Sequence, residues 1–394
     1  MTNWLAQIVS ITGMSLKSIP QRLAPSIVAI VGVAGVVLVL VGVLSMREGF
    51  EAVLDRSGAD DIAIVLRSGA TDEMGSTLDQ VQTRLIEDAP GVARDERGPI
   101  TSPELYVVVD VPLKRTGTSA NVPLRGVGAR APELRQAFKI TSGRYFEPGT
   151  FEVIVGRGAV QQFMGLELGA ELRWGTTQWR VVGIFEDGGS VAESEIWTDA
   201  PVLQGVYNRG TSYQSQRVRL ESPSALRTFK DALTTDPRLN VTVQTEREYF
   251  AEKSATIISL ITVAGGAIGF LMGLGAVFGA LNTMYSAVAA RTREIATLRA
   301  LGFGSAPIVI SVLTEALLLG IVGGSIGGLL AFFGFHGIEA STMNGFNQMT
   351  FAFRVTPSLI VQGIVYALIL GFIGGVLPSV RAARMPITVG LREL

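Results

Sequence analysis

Few side chains in this sequence belong to the types that make or break covalent bonds. There is no cysteine and a single histidine, His336, which excludes thiol catalysis, disulfides and a histidine-based metal site. The most acidic stretch, residues 186–195 (EDGGSVAESE), offers paired carboxylates for acid–base chemistry. Because it has no neighbouring histidine and is rich in glycine and serine, we interpret it as a solvated loop and predict that the chain is not an enzyme.

Nucleotide hydrolysis and nucleic-acid binding also lack their usual signals in the sequence. The phosphate-binding pattern GxxxxGK followed by Ser or Thr does not occur, so these residues bind no nucleotide by that route. The 33 basic and 34 acidic residues give a formal net charge of −1, which does not indicate a surface for nucleic acid. We therefore expect no cofactor on this chain and no nucleic-acid partner.

One carboxylate, Glu315, lies within an apolar stretch, residues 305–335. It is about nine residues from the start of that stretch, or roughly 13 Å along a helix. A carboxylate in a membrane is costly and by default functional, although it can also be a structural partner for hydroxyl groups or for an arginine near the inner surface. We interpret Glu315 as a packing or coupling residue, with proton or cation transport as the alternative.

Four apolar stretches are long enough to cross a membrane, because about 20 helical residues span its hydrocarbon core. We place them at residues 24–46, 254–284, 305–335 and 357–378. The first is longer than the apolar core of a signal peptide and is followed by no small-x-small cleavage site. We therefore interpret it as a retained helix rather than a cleaved signal.

Basic residues that flank the spans predict the orientation of the chain. Lys17 and Arg22 precede the first span, three arginines lie between the second and third, and three follow the fourth, whereas the loop before the fourth has only Arg354. Both termini are therefore predicted to lie in the cytoplasm. This places an amphipathic segment, residues 1–23, and the tail, residues 379–394, inside.

The fold class that follows is an integral membrane protein with four transmembrane helices and a large extracytoplasmic α+β domain, residues 47–253. Residues 336–356 are expected to form a second, short outer loop. Amphipathic stretches at both ends of the large domain predict that the first two helices continue out of the membrane as stalks. The domain itself is predicted to consist of a small α/β subdomain, in which Ser224 caps a helix, and an inserted, mostly β subdomain at about residues 120–215.

The segment at residues 285–304 has the sharpest signal of a functional surface. Apolar Ile295, Leu298 and Leu301 recur every third residue, and Gly302 is placed to end a helix. Four charged residues accompany them: Arg291, Arg293, Glu294 and Arg299. A short amphipathic helix at the inner membrane surface needs either a protein partner or lipid headgroups, and both alternatives are open at this point.

Glycines recur at intervals of four residues in three of the spans. They are Gly265, Gly269 and Gly273 in the second span, Gly320, Gly324 and Gly328 in the third, and Gly371 and Gly375 in the fourth. This spacing lets helices approach closely and predicts a tightly packed bundle. The alternative is that glycine is simply common in membrane helices.

Several of these stretches resemble the MacB and FtsX superfamily of ABC-transporter permeases. Residues 290–328 (ARTREIATLRALGFGSAPIVISVLTEALLLGIVGGSIGG) and the closing PSVRAARMPITVGLREL are similar to its membrane core. Residues 140–163 (ITSGRYFEPGTFEVIVGRGAVQQF), followed by WRVVGIFEDGG and EIWTD, are similar to its periplasmic core domain. The resemblance covers essentially the whole chain, and the order of the motifs makes it specific.

The resemblance implies a permease of the bacterial inner membrane that works as a dimer, with a second copy or a paralogue, on two copies of an ATPase. ATP and Mg²⁺ are then bound by the ATPase, and residues 292–301 form a coupling helix seated on it. The resemblance further implies mechanotransmission, in which movement crosses the membrane without necessarily carrying a substrate through it. In MacB itself an ATPase domain precedes the first span, whereas about 23 residues do so here, so we expect the ATPase on a separate polypeptide.

Three functions remain compatible with this sequence. The first is export of a small or amphiphilic molecule or a peptide, with a periplasmic adaptor protein. The second is release of lipoproteins from the membrane. The third is an FtsX-like signalling device that activates a cell-wall hydrolase, which the large size of the outer domain makes the least favoured.

Overall fold

The structure is a computed structural model that describes residues 7–8, 11–13, 23–344 and 347–386. The chain divides into two compact units. The helical unit consists of Met1–Gly49, Ser259–Ile338 and Ala352–Leu394, and the sheet unit consists of Phe50–Ile258 and Glu339–Phe351. Most of the amphipathic segment predicted before residue 24, and the second half of the predicted tail, lie outside the described residues.

The helices of the described chain are named in chain order. They are α1 (Leu23–Ser57), α2 (Gln80–Glu87), α3 (Arg157–Gln162), α4 (Ala200–Val206), α5 (Leu226–Thr235), α6 (Glu246–Ala289), α7 (Thr292–Ala300), α8 (Ser305–Phe335) and α9 (Pro357–Arg384). Short 3₁₀ turns lie at Ala131–Leu134, Val191–Ser194 and Pro223–Ala225.

The strands are named in the same way. They are β1 (Ile62–Arg67), β2 (Arg94–Asp95), β3 (Gly98–Pro99), β4 (Thr101–Pro112), β5 (Ser119–Val127), β6 (Phe138–Gly143), β7 (Glu152–Gly156), β8 (Glu171–Trp174), β9 (Thr177–Asp187), β10 (Ile196–Asp199), β11 (Ser215–Arg219), β12 (Val241–Thr245), β13 (Glu339–Asn344) and β14 (Asn347–Ala352). The last two pair as a hairpin within the stretch that the sequence predicted as an outer loop.

Four of the helices, α1, α6, α8 and α9, are long and apolar enough to cross a membrane. This confirms the prediction of four spans. Two of them run beyond their apolar cores, α1 as far as Ser57 and α6 from Glu246 onward. Each of these two helices is therefore a continuous element that contributes residues to both units.

The polar end of α6 begins with a reciprocal capping interaction. The Thr245 hydroxyl accepts a hydrogen bond from the Glu248 backbone N–H (3.1 Å), and the Glu248 carboxylate accepts one from the Thr245 backbone N–H (3.1 Å). Two backbone donors that a helix start leaves unpaired are thereby satisfied. The polar sequence before the span thus specifies where the helix begins.

The start of α5 differs from the sequence-based expectation. Ser224 was predicted to cap this helix, but it lies inside the 3₁₀ turn Pro223–Ala225, and α5 begins one residue after that turn. The Ser224 hydroxyl contacts the Ser222 hydroxyl at 2.9 Å instead of a backbone N–H of the helix. Pro223 explains the shift, because proline favours the first position of a helical turn and moves the start of the turn ahead of the serine.

One ten-stranded sheet runs through the sheet unit. Its order is β12-β1-β11-β4-β5-β10-β7-β9-β6, with β8 paired to β9. The long strand β4 joins the two halves, because residues 101–104 pair with β11 and residues 105–112 pair with β5. The first half carries α2 and α5 and the second is mostly β, which agrees with the mixed fold class predicted for this domain. Residues 105–112, which precede the insert predicted at about residues 120–215, already belong to the mostly β half.

Each half of the sheet has its own apolar core. In the first half, Ile86 of α2 and Phe229 of α5 pack on Val65 and Val243 of the strands, and all four are fully buried. The second half has a larger core from alternate residues of β4, β5, β7, β9 and β10. Alternation of buried and exposed residues along these strands is what the pleat of a half-buried sheet requires.

In the helical unit, glycines bring α8 and α9 into backbone contact. A Cβ atom added at Gly320 would lie 3.0 Å from the carbonyl oxygen of Ala367, and one at Gly324 would lie 2.9 Å from the Cβ of Ala367. One at Gly328 would lie 2.9 Å from Ile360. The three glycines that the sequence pattern selected in this span therefore lie on one face, against α9.

A second glycine face of α8, which the sequence pattern did not select, packs against α1. A Cβ atom at Gly323 would lie 3.0 Å from the carbonyl oxygen of Ile30. At Gly327 an added Cβ would collide with the carbonyl oxygen of Ala34 and lie 2.9 Å from the Cβ of Val37. Two faces of α8 therefore approach the backbones of neighbouring helices, one that of α9 and the other that of α1.

The glycines of α6 contact side chains rather than backbone. A Cβ atom at Gly265 would lie 2.5 Å from Val43 of α1, and one at Gly269 would lie 3.0 Å from Leu40 of α1. The carbonyl oxygen of Gly269 also accepts a hydrogen bond from the Tyr366 hydroxyl of α9 (2.8 Å). Side chains can move aside more readily than backbone, so α6 tolerates more displacement than α8.

Replacing Gly327 with alanine is expected to destabilise the helical unit by roughly 1–3 kcal/mol, because the new methyl group meets backbone atoms that cannot rotate away. Gly334→Ala is the matched control on the same helix, since a Cβ there has open space, and alanine favours helix. Thermal unfolding of the purified chain in detergent, followed by far-ultraviolet circular dichroism, measures both. Equal transition temperatures for the two variants would contradict the packing described.

Candidate functional site

The segment between α6 and α8 folds into the short helix α7, whose end is specified by glycine. Gly302 has φ +95°, a conformation that favours glycine, and its N–H donates to the Arg299 carbonyl oxygen (3.1 Å). The next N–H, that of Phe303, donates to the Leu298 carbonyl oxygen (3.1 Å). The side chains of Leu298 and Phe303 belong to the same apolar cluster. This pair of hydrogen bonds with its apolar contact is the Schellman motif, which ends a helix after a glycine.

The apolar face of α7 is used for packing inside the helical unit. Ile295 is buried and Leu298 is half-buried, in a cluster with Val288 of α6, Ile308 of α8 and Ala382 of α9. The face that the sequence predicted to need a partner is thus covered largely by the chain itself. Leu301, the third member of the predicted apolar row, is 72% exposed and does not join this cluster.

An ion pair attaches α7 to α8. Arg291, which precedes α7, donates hydrogen bonds to the Glu294 carboxylate of α7 (2.8 and 3.0 Å). Its Nη1 also lies 3.5 Å from Oε2 of Glu315 on α8, and the side chains of Arg291 and Glu315 are 6% and 7% exposed. A carboxylate in an apolar stretch is costly unless it is paired, so the guanidinium compensates for the presence of Glu315.

A second polar contact attaches α7 to the end of α9. The Arg299 guanidinium donates hydrogen bonds to the carbonyl oxygens of Ala383 (2.8 Å) and Met385 (3.0 Å). These carbonyl groups belong to the last turn and C-cap of α9, where a helix has no backbone donors of its own to satisfy them. The helix α7 therefore caps a membrane helix in addition to packing on it.

The residues of α7 that remain on its surface form a distinct exposed face. Arg293, Glu294 and Thr297 are exposed along the helix, and Leu301 follows at its end. Arg293 forms no ion pair among the described residues. The face presents a cation, a carboxylate and an apolar side chain to the surroundings, which suits contact with another protein.

Seven charged side chains form a buried cluster in the sheet unit. They are Arg125, Arg135 and Arg217 with Glu73, Glu104, Glu195 and Glu246, and none has a side chain more than 8% exposed. They come from β4, β5 and β11, from loops, and from the first residue of α6. Buried charges are stable only when they are paired, so every member depends on the others.

Arg125 is at the centre of the cluster. Its guanidinium contacts Glu195 through two hydrogen bonds (2.7 and 2.8 Å) and also reaches Glu73 (2.8 Å) and Glu104 (2.9 Å). It lies 4.8 Å from the centroid of the Tyr106 ring. A guanidinium has a planar fork of donors, which allows one arginine to bind several carboxylates at once.

Arg217 connects this centre to the helix α6. Its guanidinium is paired with Glu104 and lies 3.2 Å from Glu73, and its Nε donates to Glu246 at 3.0 Å. Glu246 is the first residue of α6. The end of the long helix is thus fixed to the middle of the sheet by a buried ion pair.

The end of α1 is also fixed within the sheet unit. The Ser57 hydroxyl accepts a hydrogen bond from the Val191 backbone N–H (2.7 Å). At Gly58, which follows α1, an added Cβ atom would lie 2.6 Å from the Cα of Arg247 near the start of α6. The two polar helix ends are therefore in direct backbone contact, and glycine is needed between them.

Two family models match this chain. The MacB-like periplasmic core domain matches residues 26–236, which is more than half of the chain, and the FtsX-like permease C-terminal model matches residues 254–387. The chain belongs to the MacB/FtsX superfamily of ABC-transporter permeases. The resemblance predicted from its sequence is confirmed.

Relatives of this permease include a MacB protein and another ABC transporter permease. It is 24% identical over 376 residues to the macrolide export ATP-binding/permease protein MacB 1 of Aeromonas hydrophila, covering 90% of this chain and 56% of that protein. It is 34% identical over 114 residues to the uncharacterized ABC transporter permease YvrN of Bacillus subtilis, covering 29% of this chain and 26% of that protein. The chain spans little more than half the length of the Aeromonas relative.

Among solved structures, the periplasmic region of MacB from Actinobacillus actinomycetemcomitans is similar to this permease. The TM-score is 0.38 and the sequence identity 12%, over 50% of this chain and 92% of that structure.

In this permease the residues predicted for the coupling site separate into two groups. Those that hold α7 on the helical unit are Arg291, Ile295, Leu298 and Arg299. Those on its surface are Arg293, Glu294, Leu301 and Gly302, of which Glu294 also pairs with Arg291. The three-residue spacing indicated an apolar face but gave no sign that the chain itself covers it.

The acidic stretch at residues 186–195 is not the solvated loop that the sequence predicted. Asp187, Ser190 and Glu195 are each 4% exposed, and Glu195 is the bidentate partner of Arg125. The Glu193 carboxylate accepts hydrogen bonds from the backbone N–H groups of Asp187 and Gly189 (2.7 and 2.6 Å). Glycine and serine are frequent here because the chain turns tightly around buried carboxylates.

Charge pairing changes the protonation of the buried carboxylates in this permease. Burial alone would raise the pKa of Glu73, but the charges of Arg125 and Arg217 outweigh it and hold that pKa well below the usual range. Burial is likewise outweighed at Glu104, chiefly by Arg217, so its pKa is also lowered. Both groups are therefore ionised in the folded protein at neutral pH.

Arg125→Met is expected to destabilise the sheet unit by about 3–5 kcal/mol, because it removes the arginine partner of buried Glu195 and one of the two arginine partners of buried Glu73. Glu167→Gln, which removes a surface pair with Lys114, is the control and should change the stability by less than about 1 kcal/mol. Tryptophan fluorescence during denaturant unfolding measures this unit, since Trp197 donates a hydrogen bond to Glu195 of the cluster.

The pH dependence of unfolding gives an independent check on the cluster. In the wild-type chain the folded-state pKa values of Glu73 and Glu104 are lowered, so their pairing contributes fully at neutral pH and is lost as the pH falls below about 4.5. In Arg125→Met the buried carboxylates that lose this arginine gain from protonation, so the stability deficit of the variant should narrow as the pH falls from about 8 to about 5. A constant deficit over that range would show that charge pairing is not what the arginine contributes.

The pair that attaches α7 to α8 is suited to a double-mutant cycle. Arg291→Met should destabilise the helical unit by about 3–5 kcal/mol because it removes the cation beside Glu315. Adding Glu315→Met should restore a large part of that loss, since no buried charge then remains at this position. Additive losses in the double variant, measured by thermal unfolding in detergent, would mean that the two side chains do not interact.

Proposed function

We propose that this chain is the transmembrane subunit of an ABC transporter that converts cytoplasmic ATP hydrolysis into movement of its outer domain. The observation that carries the proposal is the attachment of α7 at two points, to α8 through Arg291 and Glu315 and to α9 through Arg299. A helix held in this way passes a force applied to its exposed face directly into two membrane helices. Family membership supports the same conclusion.

Transmission to the outer domain is proposed to run along the two long helices. α6 continues without interruption from Glu246 to Ala289, and only two residues separate it from α7. Its polar end is paired with Arg217, and the end of α1 is bound to Val191. A helix that transmits movement must be firmly attached at its outer end, because flexibility at that attachment would dissipate the movement.

The ATPase is proposed to be a separate polypeptide that binds the exposed face of α7, with two ATPase copies and two permease chains per complex. The 394 residues contain no GxxxxGK pattern followed by Ser or Thr, which supports a nucleotide site that lies outside them. Arg293, Glu294 and Leu301 offer charged and apolar contacts for such a partner. The second permease chain is either an identical copy or a paralogue.

Export with a periplasmic adaptor protein is the proposed physiological role, in the inner membrane of a bacterium. Its support is that several relatives are named macrolide export proteins. Deletion of this chain should raise the cellular accumulation of an exported compound, whereas retention of lipoproteins in the inner membrane of the deletion strain would favour lipoprotein release instead.

Arg293→Glu is expected to lower the ATPase activity of the reconstituted complex severalfold, because it reverses a charge on the proposed contact surface. It should not alter the thermal stability of the chain, since Arg293 is exposed and forms no ion pair among the described residues. Arg84→Glu, a charge reversal on the exposed face of α2, is the matched control and should leave the activity unchanged.

Two results would overturn the proposal. One is ATP hydrolysis by the purified chain without any added subunit. The other is that the Arg293→Glu chain supports wild-type ATPase activity and copurifies with the ATPase as the wild-type chain does. That result would show that the exposed face of α7 is not the contact surface. Arg293→Lys should behave like wild type if charge decides the contact, and this third variant separates charge from side-chain shape.

A further inference from the structure

A groove of about 830 Å³ opens between the ends of α6 and α9, beside the first residue of α7. The two helices are in contact farther along, where a Cβ atom added at Gly374 would lie 2.7 Å from the Cβ of Ala280. Beyond that contact they separate. Val288 and Ala289 of α6 and Leu377 of α9 line the groove with apolar surface.

Two guanidinium groups lie on the rim of this groove. Arg381 and Arg384 are three residues apart on α9, so they project from the same side of the helix, and both are exposed. Arg381 lies 5.4 Å from the ring centroid of Tyr285 on the opposite wall. Neither arginine forms a salt bridge with a carboxylate among the described residues, in contrast to Arg291.

These arginines are also not needed to complete the end of α9. Cations in the last turn of a helix commonly satisfy its free carbonyl groups. Here the carbonyl oxygens of Ala383 and Met385 already accept hydrogen bonds from Arg299. The positive charge of Arg381 and Arg384 is thus directed to the groove and its surroundings.

The apolar wall of the groove continues along the lipid-facing side of the bundle. On α9, Ile373 and Leu377 precede Arg381 at intervals of four residues and are 49% and 59% exposed. On α6, Phe278 lies seven residues before Tyr285, on the same side of the helix, and is 71% exposed. An occupant that matches the groove therefore has an anionic head and a long apolar tail.

We propose that the groove binds an anionic phospholipid of the cytoplasmic leaflet. The phosphate lies between Arg381 and Arg384 within reach of the Tyr285 hydroxyl, and an acyl chain follows Leu377 and Ile373. Two guanidinium groups that form no salt bridge among the described residues match a phosphodiester in charge and geometry. Free phosphate has no apolar part to contact the apolar wall of the groove. The groove therefore matches a phosphate group that belongs to a lipid.

Titration of the purified full-length chain with phosphatidylglycerol or phosphatidylcholine in detergent, read by native mass spectrometry, tests this site. Wild type should bind phosphatidylglycerol in preference to phosphatidylcholine. Arg381→Gln and Arg384→Gln should each weaken phosphatidylglycerol binding on the order of fivefold, and leave phosphatidylcholine binding unchanged. Arg293→Gln, which removes one exposed cation outside the groove, is the control and should bind like wild type.

Two further arms test the lipid source and the place of binding. Inorganic phosphate added in large excess should displace little phosphatidylglycerol. Displacement at phosphate concentrations close to that of the lipid would mean that the groove binds free phosphate rather than a phospholipid. Ala289→Trp fills the groove and keeps both arginines, so it should also weaken binding. Equal binding by wild type and the Arg381→Gln/Arg384→Gln chain, or equal affinity for the two lipids, would overturn the proposal.

Discussion

The structure depends on the requirement that a buried charge be paired. This requirement acts at two places, at Arg291 with Glu315 in the helical unit and at the seven-member cluster around Arg125 in the sheet unit. Both places are junctions, the first where a connecting helix meets a membrane helix and the second where α6 meets the sheet. Ion pairs of this kind add little net stability compared with apolar contacts, but breaking one is costly. They therefore suit contacts at which two elements must keep one geometry.

Much of the fold could be predicted from the sequence, because the signals for it are local. Long apolar runs specify the four spans, and Gly302 specifies the end of α7 through its positive φ. The buried cluster could not be predicted, since Glu73 and Arg217 are separated by 144 residues and each alone resembles a surface charge. The acidic stretch around Glu195 was misinterpreted for the same reason, because its partner Arg125 lies 70 residues away.

The candidate site was predicted in position but not in detail. Spacing along the sequence identified an amphipathic helix, yet it could not show which surface the apolar side would contact. Ile295 and Leu298 pack on the ends of the membrane helices, so the surface left for a partner is smaller and more polar than the sequence indicated. Likewise the four-residue glycine pattern found the contacts of α8 with α9, whereas Gly323 and Gly327 on its other face became evident only from their distances to α1.

The strand β1 cannot be paired until late in the synthesis of the chain. β1 is formed by residues 62–67, but both of its neighbours, β11 and β12, come from residues 215–219 and 241–245. At bacterial rates of synthesis its two edges stay open for on the order of ten seconds while the intervening chain emerges. The strands β5 to β10 of the β-rich half are all synthesised before β11 and β12. The order of synthesis therefore allows the β-rich half to fold before β1 is paired.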